Sequence, residues 1–423
     1  MTSEPQAPPR EAYVWTWLPG RVEPVVAGRL APTPQGLQFN YGRSWLERGD
    51  VVPLYLPELP LQPGLLPLPT GLAMPGCLRD AAPDAWGRRV ILNRALGGAG
   101  RDADTAVLDE LSYLLQSGSD RIGALDFQAS PSEYAPREGD GASLEELLDS
   151  AARVERGLPL SPALAQALQH GTSIGGARPK ATLADDGRRW IAKFSSSGDV
   201  QPLVKLEFVA MRLAALAGLD VAPVKLVQAA GKDVLLVERF DRVLHADGHW
   251  RRRGLVSALT LLALDEMMAA YASYEDLAEI VRHRFEAPRA TLRELFGRLV
   301  FNILCGNTDD HARNHAAFWD GARLSLTPAY DICPQARAGQ EATQAMKILG
   351  EQRFSRLALC VEAAPRFQLS AAQARGIIDA QLQVLHAHWR DVCDEAGLGE
   401  AERNALWGRQ FLNPFALQGY GDT

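Results

Sequence analysis

The sequence predicts an α+β protein of two lobes, with a mixed α/β N-terminal lobe that contains an antiparallel sheet and a mainly α-helical C-terminal lobe. Short apolar runs separated by Pro, Gly or Asp-Gly turns fill residues 12–41 and much of 179–240, which is typical of antiparallel strands. From about residue 255 onward, apolar residues recur mostly at helical spacing. The two patterns meet near residues 238–242, so we expect a binding cleft between the lobes.

Local signals define the elements of the first part of the chain. The runs "YVWTWL", "EPVVAG" and "GLQFNY" are separated by Pro/Gly turns and predict strands. Residues 53–76 are too rich in Pro for a regular sheet or helix, yet their leucines predict an ordered extended segment. Residues 83–96 and 103–116 have helical patterns, and "RIGALDF" is typical of a strand.

The second part of the N-terminal lobe predicts a small sheet with one helix. Ser143 and Glu146 form a possible capping box at the start of a helix. Residues 179–196 predict a hairpin about an Asp-Gly turn, and "PLVKLEFVAMRLAALAGL" predicts the helix that follows it. Two further strands, "APVKLVQAAG" and "DVLLVERF", complete the sheet.

Composition excludes several classes of protein. The net charge of −7 argues against autonomous binding of DNA or RNA, which usually requires a basic domain. The five cysteines are scattered and lack metal-ligand spacing, as expected of reduced thiols. The polar, Pro-rich start is unlike a signal peptide, and we find no apolar run of about 18 residues that would span a bilayer. We therefore expect a soluble cytoplasmic protein that does not insert into membranes.

The stretch "NILCGNTDDHARNH", residues 302–315, is the first candidate for chemistry. Asp309 precedes Asn314 by five positions, and Asp331 follows across a predicted strand pair. Phosphoryl transfer requires a carboxylate for the hydroxyl proton and hard oxygen ligands for Mg²⁺, which this set supplies. Taken alone, the stretch fits an Asx-rich structural turn equally well.

Three other stretches could bind a nucleotide. In "TSIGGARPKATL", Gly175 and Gly176 would let backbone N–H groups approach phosphates while Lys180 adds a charge, although a plain loop explains the stretch as well. Lys193 lies among apolar residues of a strand and could pair with Glu207 on the next helix; the alternative is an edge-strand lysine and a solvated acid.

In the third stretch, "LLVERFDR", the backbone of Glu238 and Phe240 could contact an adenine edge. The alternative is that Glu238, Asp241 and their arginine neighbours are a surface salt-bridge cluster, in which each pair contributes little. The order of Gly-rich loop, lysine, glutamate, hinge and metal-binding acids is what a two-lobed kinase brings to MgATP.

These motifs together resemble the HipA family of serine/threonine kinases, the toxins of bacterial toxin–antitoxin modules. The resemblance rests on "SIGGARPKATL", "IAKF", "LLVERFDR", "GNTDDHARNHAAF" and "LTPAYDI", with "VAGRLAPTPQGLQFNYGRSWL" and "LRDAAPDAWGRRVI" nearer the N-terminus. It implies a two-lobed protein-kinase-like fold. The implied division is a disordered tail over 1–11, an N-terminal subdomain over 12–127, a nucleotide-binding part with the Gly-rich loop over 128–240, and a helical C-lobe over 241–423.

The resemblance also implies roles for individual residues. Asp309 would be the catalytic base, and Asn314 and Asp331 would hold Mg²⁺. Ser173 matches the autophosphorylation serine of the family. The residues that would bind ATP are Ser173, Gly175, Gly176, Lys180, Lys193, Glu238, Phe240, Asp241, His311 and Tyr330.

Three positions depart from the family pattern. Asp310 stands where the family often has Gly, and its charge could alter the metal preference. Arg313 replaces a Lys and presents a planar fork instead of a point charge. Pro179 could stiffen the Gly-rich loop.

The function that the resemblance implies is a MgATP-dependent protein kinase that inhibits growth. Its expected substrate is an aminoacyl-tRNA synthetase, above all glutamyl-tRNA synthetase, and its expected partner is a HipB-like DNA-binding antitoxin. This chain would then contact DNA only indirectly, through the antitoxin. Two alternatives stay open: a kinase with a small-molecule acceptor, and a non-catalytic regulatory subunit of a repressor complex.

Overall fold

A four-stranded antiparallel sheet in the order β3-β2-β1-β4 begins the fold. The computed structural model describes residues 9–97, 104–137, 142–161, 164–165, 168, 176, 178–185, 187–196, 198–337 and 339–421. The strands of the first sheet are β1 (Ala12–Thr16), β2 (Val25–Thr33), β3 (Gly36–Tyr41) and β4 (Leu125–Gln128). Most of the predicted disordered tail, residues 1–8, lies outside the described residues, whereas Glu11 accepts a hydrogen bond from the Tyr13 hydroxyl at 2.7 Å.

Short helices surround this first sheet. They are α1 (Arg43–Leu46), α2 (Gly76–Arg79), α3 (Ala85–Leu96), α4 (Glu110–Gln116) and α5 (Leu144–Glu155), with a 3₁₀ turn at Thr105–Val107. The Pro-rich segment is ordered as predicted, because Leu59, Leu66 and Met74 are buried in the core. The capping box also forms: Ser143 accepts from the N–H of Glu146, and Glu146 accepts from the N–H of Ser143.

The second sheet lies between the first subdomain and the helical lobe. Its antiparallel order is β5-β6-β8-β7, and its strands are β5 (Lys180–Asp185), β6 (Arg188–Phe194), β7 (Val224–Ala229) and β8 (Lys232–Glu238). Helix α6 (Leu203–Leu216) packs against β7 and β8 on one side and against the long C-terminal helix on the other. Because α6 is shared in this way, one hydrophobic core extends through both lobes.

Three strands within residues 242–257 were not predicted from the sequence, whereas the strand pair within residues 316–326 was predicted and is confirmed. A hairpin of β9 (Arg242–Leu244) and β10 (Trp250–Arg252) leads to an antiparallel sheet of β11 (Gly254–Ser257), β12 (Ala316–Trp319) and β13 (Leu324–Leu326). Strand β11 pairs with β12 from Gly254↔Trp319 to Ser257↔Ala316, and it thereby fixes the C-terminal side of the candidate catalytic loop.

Helices make up most of the rest of the C-terminal lobe. They are α7 (Ala258–Leu261), α8 (Tyr274–Arg284), α9 (Pro288–Cys305), α10 (Leu357–Ala363), α11 (Ala371–Glu395), α12 (Glu400–Leu406) and α13 (Pro414–Leu417), with 3₁₀ turns at Glu266–Tyr271, Ala312–Asn314 and Ala364–Phe367. Helix α9 is buried along most of its length. Among the described residues, no helix combines the length and the apolar character that crossing a bilayer requires.

Candidate active site

The candidate catalytic loop starts where helix α9 ends. Gly306 caps the helix in the left-handed conformation with φ of 73°, and a Cβ at this position would lie 2.5 Å from the carbonyl oxygen of Gln410. Only glycine fits both conditions. The Asn307 side chain then donates to Asn302 Oδ1 on the helix at 2.9 Å, so the loop leaves the helix in a fixed direction.

Asp309 and Asn314 lie together in this loop. The Asn314 Nδ2 donates to the carbonyl oxygen of Asp309 at 3.2 Å, and its backbone N–H donates to that of His311 at 2.8 Å. The side-chain bond orients the amide and leaves Asn314 Oδ1 as the atom that could bind a cation. Partial burial raises the pKa of Asp309, with His311 opposing the shift and Asp331 adding to it. A carboxylate of raised pKa suits a general base.

Asp331 lies opposite this loop in an uncommon backbone conformation. Its φ is 58°, in the left-handed region that residues other than glycine seldom adopt. Such conformations persist where the surroundings determine them, and they cluster at functional sites. Burial opposes the ionisation of Asp331, but the Lys193 ammonium outweighs burial and lowers its pKa to about 2. Asp331 is therefore an anion at neutral pH.

Lys193 joins the two lobes electrostatically. From strand β6 its Nζ lies 2.5 Å from Glu207 Oε1 on α6 and 2.6 Å from Asp331 Oδ1 in the C-terminal lobe. Burial disfavours the charged lysine, yet Asp331 and Glu207 together raise its pKa. The predicted pairing of Lys193 with Glu207 is thus confirmed, and the reading of Lys193 as an edge-strand lysine is wrong.

The Gly-rich loop is only partly described. Ser173 and Gly175 lie outside the described residues. Gly176 has φ of 98°, and a Cβ there would lie 2.6 Å from Lys180 Nζ, so the loop passes directly over that ammonium. Lys180 itself is 2% exposed and pairs with Asp84 Oδ2 at 3.2 Å. Asp84 therefore fixes the Lys180 ammonium beside Gly176, and phosphate binding by Lys180 stays a prediction.

The hinge between the lobes follows strand β8. The Glu238 N–H donates to the Pro223 carbonyl at 2.8 Å, so Glu238 could offer an adenine its carbonyl oxygen but not its N–H. The Phe240 ring packs against Tyr330 at a centroid distance of 5.6 Å. Tyr330 in turn donates to the carbonyl oxygen of Arg313 at 2.7 Å, which ties the hinge to the catalytic loop.

Asp241 belongs to a buried cluster that we call the hinge cluster, formed by Asp120, Arg239, Asp241 and Arg242. The Asp241 carboxylate accepts from Arg239 and Arg242, at 2.8 Å for the shortest bond to each, and from the Gly123 N–H at 2.7 Å. Asp120 pairs with both arginines, at 2.8 and 2.9 Å. The structure corrects the prediction that Asp241 binds ATP, and it equally corrects the alternative of a surface cluster, because Asp241 is 0% exposed.

Asp310 points away from Asp309 and into the core. It is 1% exposed, pairs with His315 Nε2 at 2.9 Å and accepts a hydrogen bond from the Tyr274 hydroxyl. Both oxygens of Asp310 have partners inside the protein, so it is not placed as a metal ligand, and an effect of its charge on the metal preference stays a prediction. Arg313, at the other departure from the family pattern, forms an ion pair with Glu266.

The oxygen donors of the site fit a magnesium ion. Asp331 is ionised, and the Asn314 amide presents its oxygen. Mg²⁺ binds such hard ligands and keeps several waters, so one carboxylate and one amide can suffice beside phosphate oxygens. No group of three or more His, Cys, Asp or Glu within the described part of the chain has the arrangement of a metal site.

Family models match both parts of the chain. The HipA N-terminal domain matches residues 21–128, and the HipA-like C-terminal domain matches residues 172–389, more than half of the chain. The chain belongs to the HipA family. Membership makes it part of a family of kinases with an α+β fold.

Individual relatives and a solved structure agree with this assignment. Y4mE of Sinorhizobium fredii, whose name proposes a kinase activity, is 29% identical over 75% of this chain and 76% of its own. The serine/threonine-protein kinase toxin HipA of Shewanella oneidensis is 28% identical over 38% of this chain and 42% of its own. A chain of the solved complex of HipA, HipB and operator DNA from S. oneidensis MR-1 matches with a TM-score of 0.68 at 19% identity, over 96% of this chain and 99% of that one. That match shows a shared fold.

Proposed function

We propose that this chain is a MgATP-dependent protein serine/threonine kinase of the HipA type. The observation that carries the proposal is the ion-paired Lys193, which contacts Glu207 in one lobe and Asp331 in the other. A kinase needs this lysine, its glutamate partner and a metal-binding aspartate in place together. Asp309 and Asn314 complete the set on a loop fixed by α9 and β12.

Each residue of the candidate site has its own role in the proposed phosphoryl transfer. Asp309, which is partly buried but accessible and has a raised pKa, accepts the proton of the acceptor hydroxyl. Lys193 places a cation beside the transferred phosphate, and Glu207 fixes its position through the 2.5 Å ion pair. Magnesium, when bound by Asn314 and Asp331, neutralises charge on the phosphate oxygens.

The hinge supplies the nucleotide with a surface for its base. Glu238 offers a carbonyl oxygen, and Phe240 offers a ring and a backbone N–H for which no hydrogen bond is found among the described residues. Tyr330 and His311 lie beside Asp331, since their electrostatic interactions with it are strong enough to shift pKa values. These residues would enclose the adenine and ribose of ATP.

The biological role that we propose is growth inhibition. The substrate would be a protein of the aminoacyl-tRNA synthetase class, with glutamyl-tRNA synthetase the leading candidate, and the chain would phosphorylate itself on Ser173. A phosphate on Ser173, with about −2 charge, would be repelled by bound ATP phosphates. A HipB-like antitoxin is the proposed partner, supported by the solved HipA–HipB–DNA complex whose fold this chain shares. With a net charge of −7, the chain would reach DNA through that partner.

The test is transfer of labelled phosphate from ATP by the purified protein. Wild-type chain with Mg²⁺ should label itself and one protein of a cell lysate, whereas Asp309→Asn should label neither. Asp391→Asn, which removes an exposed carboxylate of α11, is the matched control and should behave as wild type. Ser173→Ala should lose the label on the chain and keep the label on the lysate protein.

Two outcomes would overturn the proposal. Label in a metabolite fraction and in no protein would show a small-molecule acceptor. Growth arrest that persists on expression of Asp309→Ala would show that the chain acts without catalysis.

A further inference from the structure

A cavity that the proposed function does not use lies beside the β9–β10 hairpin. Its volume is about 470 Å³, and it is enclosed by the end of β1, the β9–β10 hairpin and the β12–β13 turn. None of Lys193, Asp309 and Asp331 lines it, so it is separate from the candidate active site. A cavity of this size is in the range of small-molecule sites, which run from about 300 to 1,000 Å³.

The cavity concentrates arginine side chains. Arg251, Arg252, Arg253 and Arg323 all line it. Arg251 pairs with Asp247. For the other three, no carboxylate lies within ion-pair distance among the residues that the structure describes.

Acidic groups near the cavity compensate these arginines only in part. Glu286 and Asp320 are the carboxylates that line the cavity. Asp320 Oδ1 is already engaged by the backbone N–H groups of Ala322 and Arg323, at 2.8 and 2.7 Å. Beside the Arg251–Asp247 pair, three guanidinium groups face two lining carboxylates, which leaves an excess of positive charge in a chain whose net charge is −7.

Stacking on aromatic rings holds two of the guanidinium groups in place. Arg252 lies 3.5 Å from the centroid of the Trp17 ring and donates to the Ser119 carbonyl at 2.9 Å. Arg253 lies 3.1 Å from the centroid of the Phe318 ring. A guanidinium stacked by its face keeps its N–H edge available, and that planar edge matches two oxygens of a phosphate.

We propose that this cavity binds a small phosphorylated molecule through Arg253 and Arg323. Phosphate is favoured because it accepts from two guanidinium forks at once and its charge offsets the excess in the cavity. The limited volume selects a small molecule instead of a nucleic acid or a protein segment. The binding step does not depend on the kinase activity proposed above.

The cavity also contacts the hinge. Phe318, which carries Arg253 on its face, packs edge-on against Phe240 with ring centroids 5.8 Å apart. The Arg253 N–H donates to the Asp241 carbonyl at 3.0 Å. A ligand that binds the Arg253 guanidinium would therefore act on Phe240, which borders the proposed nucleotide cleft, through the ring of Phe318.

The experiment uses pyrophosphate as the probe and isothermal titration calorimetry of the full chain in EDTA. Omitting divalent metal suppresses binding that depends on Asn314 and Asp331. Wild type should bind one pyrophosphate. The affinity of the double variant Arg253→Gln/Arg323→Gln should be lower by a factor of about ten or more, since hydrogen bonds to charged groups are lost. Both arginines are exposed, and circular dichroism checks that the variant is folded.

Two controls separate this cavity from other sites. Arg293→Gln removes an exposed arginine of α9 and should leave the affinity unchanged. Lys193→Met removes the cation of the nucleotide cleft and should also leave it unchanged. The inference is overturned by an absence of pyrophosphate binding, by equal binding in the double variant, by loss of binding in Lys193→Met, or by an equal loss in Arg293→Gln.

Discussion

Asp241→Asn tests whether the hinge cluster stabilises the protein. Burial opposes the ionisation of Asp241, but Arg239 and Arg242 outweigh burial and lower its pKa. The side chain is 1% exposed, so solvent does not screen these pairs. An asparagine keeps the shape but removes the charge, and its NH₂ would face guanidinium N–H groups as a second donor. Losing one partner of a buried ion pair costs about 3–5 kcal/mol.

This cost should be visible in thermal unfolding. The unfolding entropy scales with length, so in this chain of 423 residues with one core through both lobes 1 kcal/mol shifts Tm by about 1 °C, and Asp241→Asn should lower Tm by roughly 3–6 °C. The matched control is Asp247→Asn, which removes an exposed carboxylate in the β9–β10 hairpin directly after Asp241 that also pairs with an arginine, Arg251. Exposed pairs contribute little, so the control should melt close to wild type. Equal Tm values for Asp241→Asn and wild type would refute the reasoning.

The effect of Asp241→Asn on Tm should also depend on pH. The pKa of Asp241 is lower in the folded protein than in the unfolded chain, where it is about 3.9. Its contribution is therefore complete at neutral pH and is lost as the pH falls through the folded-state pKa. The difference in Tm between wild type and Asp241→Asn should shrink below about pH 4. A difference that stays constant down to acid unfolding would contradict the assigned charge state.

Three further predictions concern the candidate active site. Asp310→Ala should lower Tm in differential scanning fluorimetry, because His315 and the Tyr274 hydroxyl lose a buried acceptor. Asp309→Asn should leave Tm nearly unchanged and abolish phosphate transfer in the labelling assay. The reverse pattern would show that the two aspartates were assigned wrongly. Glu207→Gln should lower kcat/KM for phosphate transfer by about a hundredfold, because Lys193 loses the partner that positions it, and steady-state kinetics with an unaltered value would argue against that role. The rate of transfer should fall as the pH drops through the raised pKa of Asp309, because the base must be deprotonated, while Asp331, with a pKa of about 2, stays ionised; a pH–rate profile that is flat down to pH 4 would be inconsistent with Asp309 as the base.

Local patterns accounted for most of the N-terminal lobe. Its strands and hairpins have turn residues directly between them, so the sequence contains both the strands and their connection. Strand β11 had no such signal. It follows three consecutive arginines and pairs with β12, whose residue Ala316 lies opposite Ser257 across some 60 positions of intervening chain. A strand that depends on so distant a partner is not visible in local periodicity.

In the candidate site, too, a contact between residues close in sequence was predicted and a contact between distant residues was not. Lys193 and Glu207 are 14 residues apart, on a strand and the helix that follows it, and their pairing was predicted. Lys180 and Asp84 are 96 residues apart, and nothing near either residue indicates the other. The two aspartates at 309 and 310 have the same chemistry in the sequence. Only the direction in which the loop leaves α9, and the position of Tyr274, place one in the cleft and the other in the core.

The hinge cluster can form only late in the synthesis of the chain. Gly123 and Asp241 are separated by 118 residues, so at about 5–20 residues per second the hinge leaves the ribosome roughly 6–24 s after the loop that it must contact. Until then Asp120 stays solvated, because its ion-pair partners Arg239 and Arg242 have not yet left the ribosome. A nascent chain therefore completes the proposed nucleotide pocket only after residues 239–242 have left the ribosome.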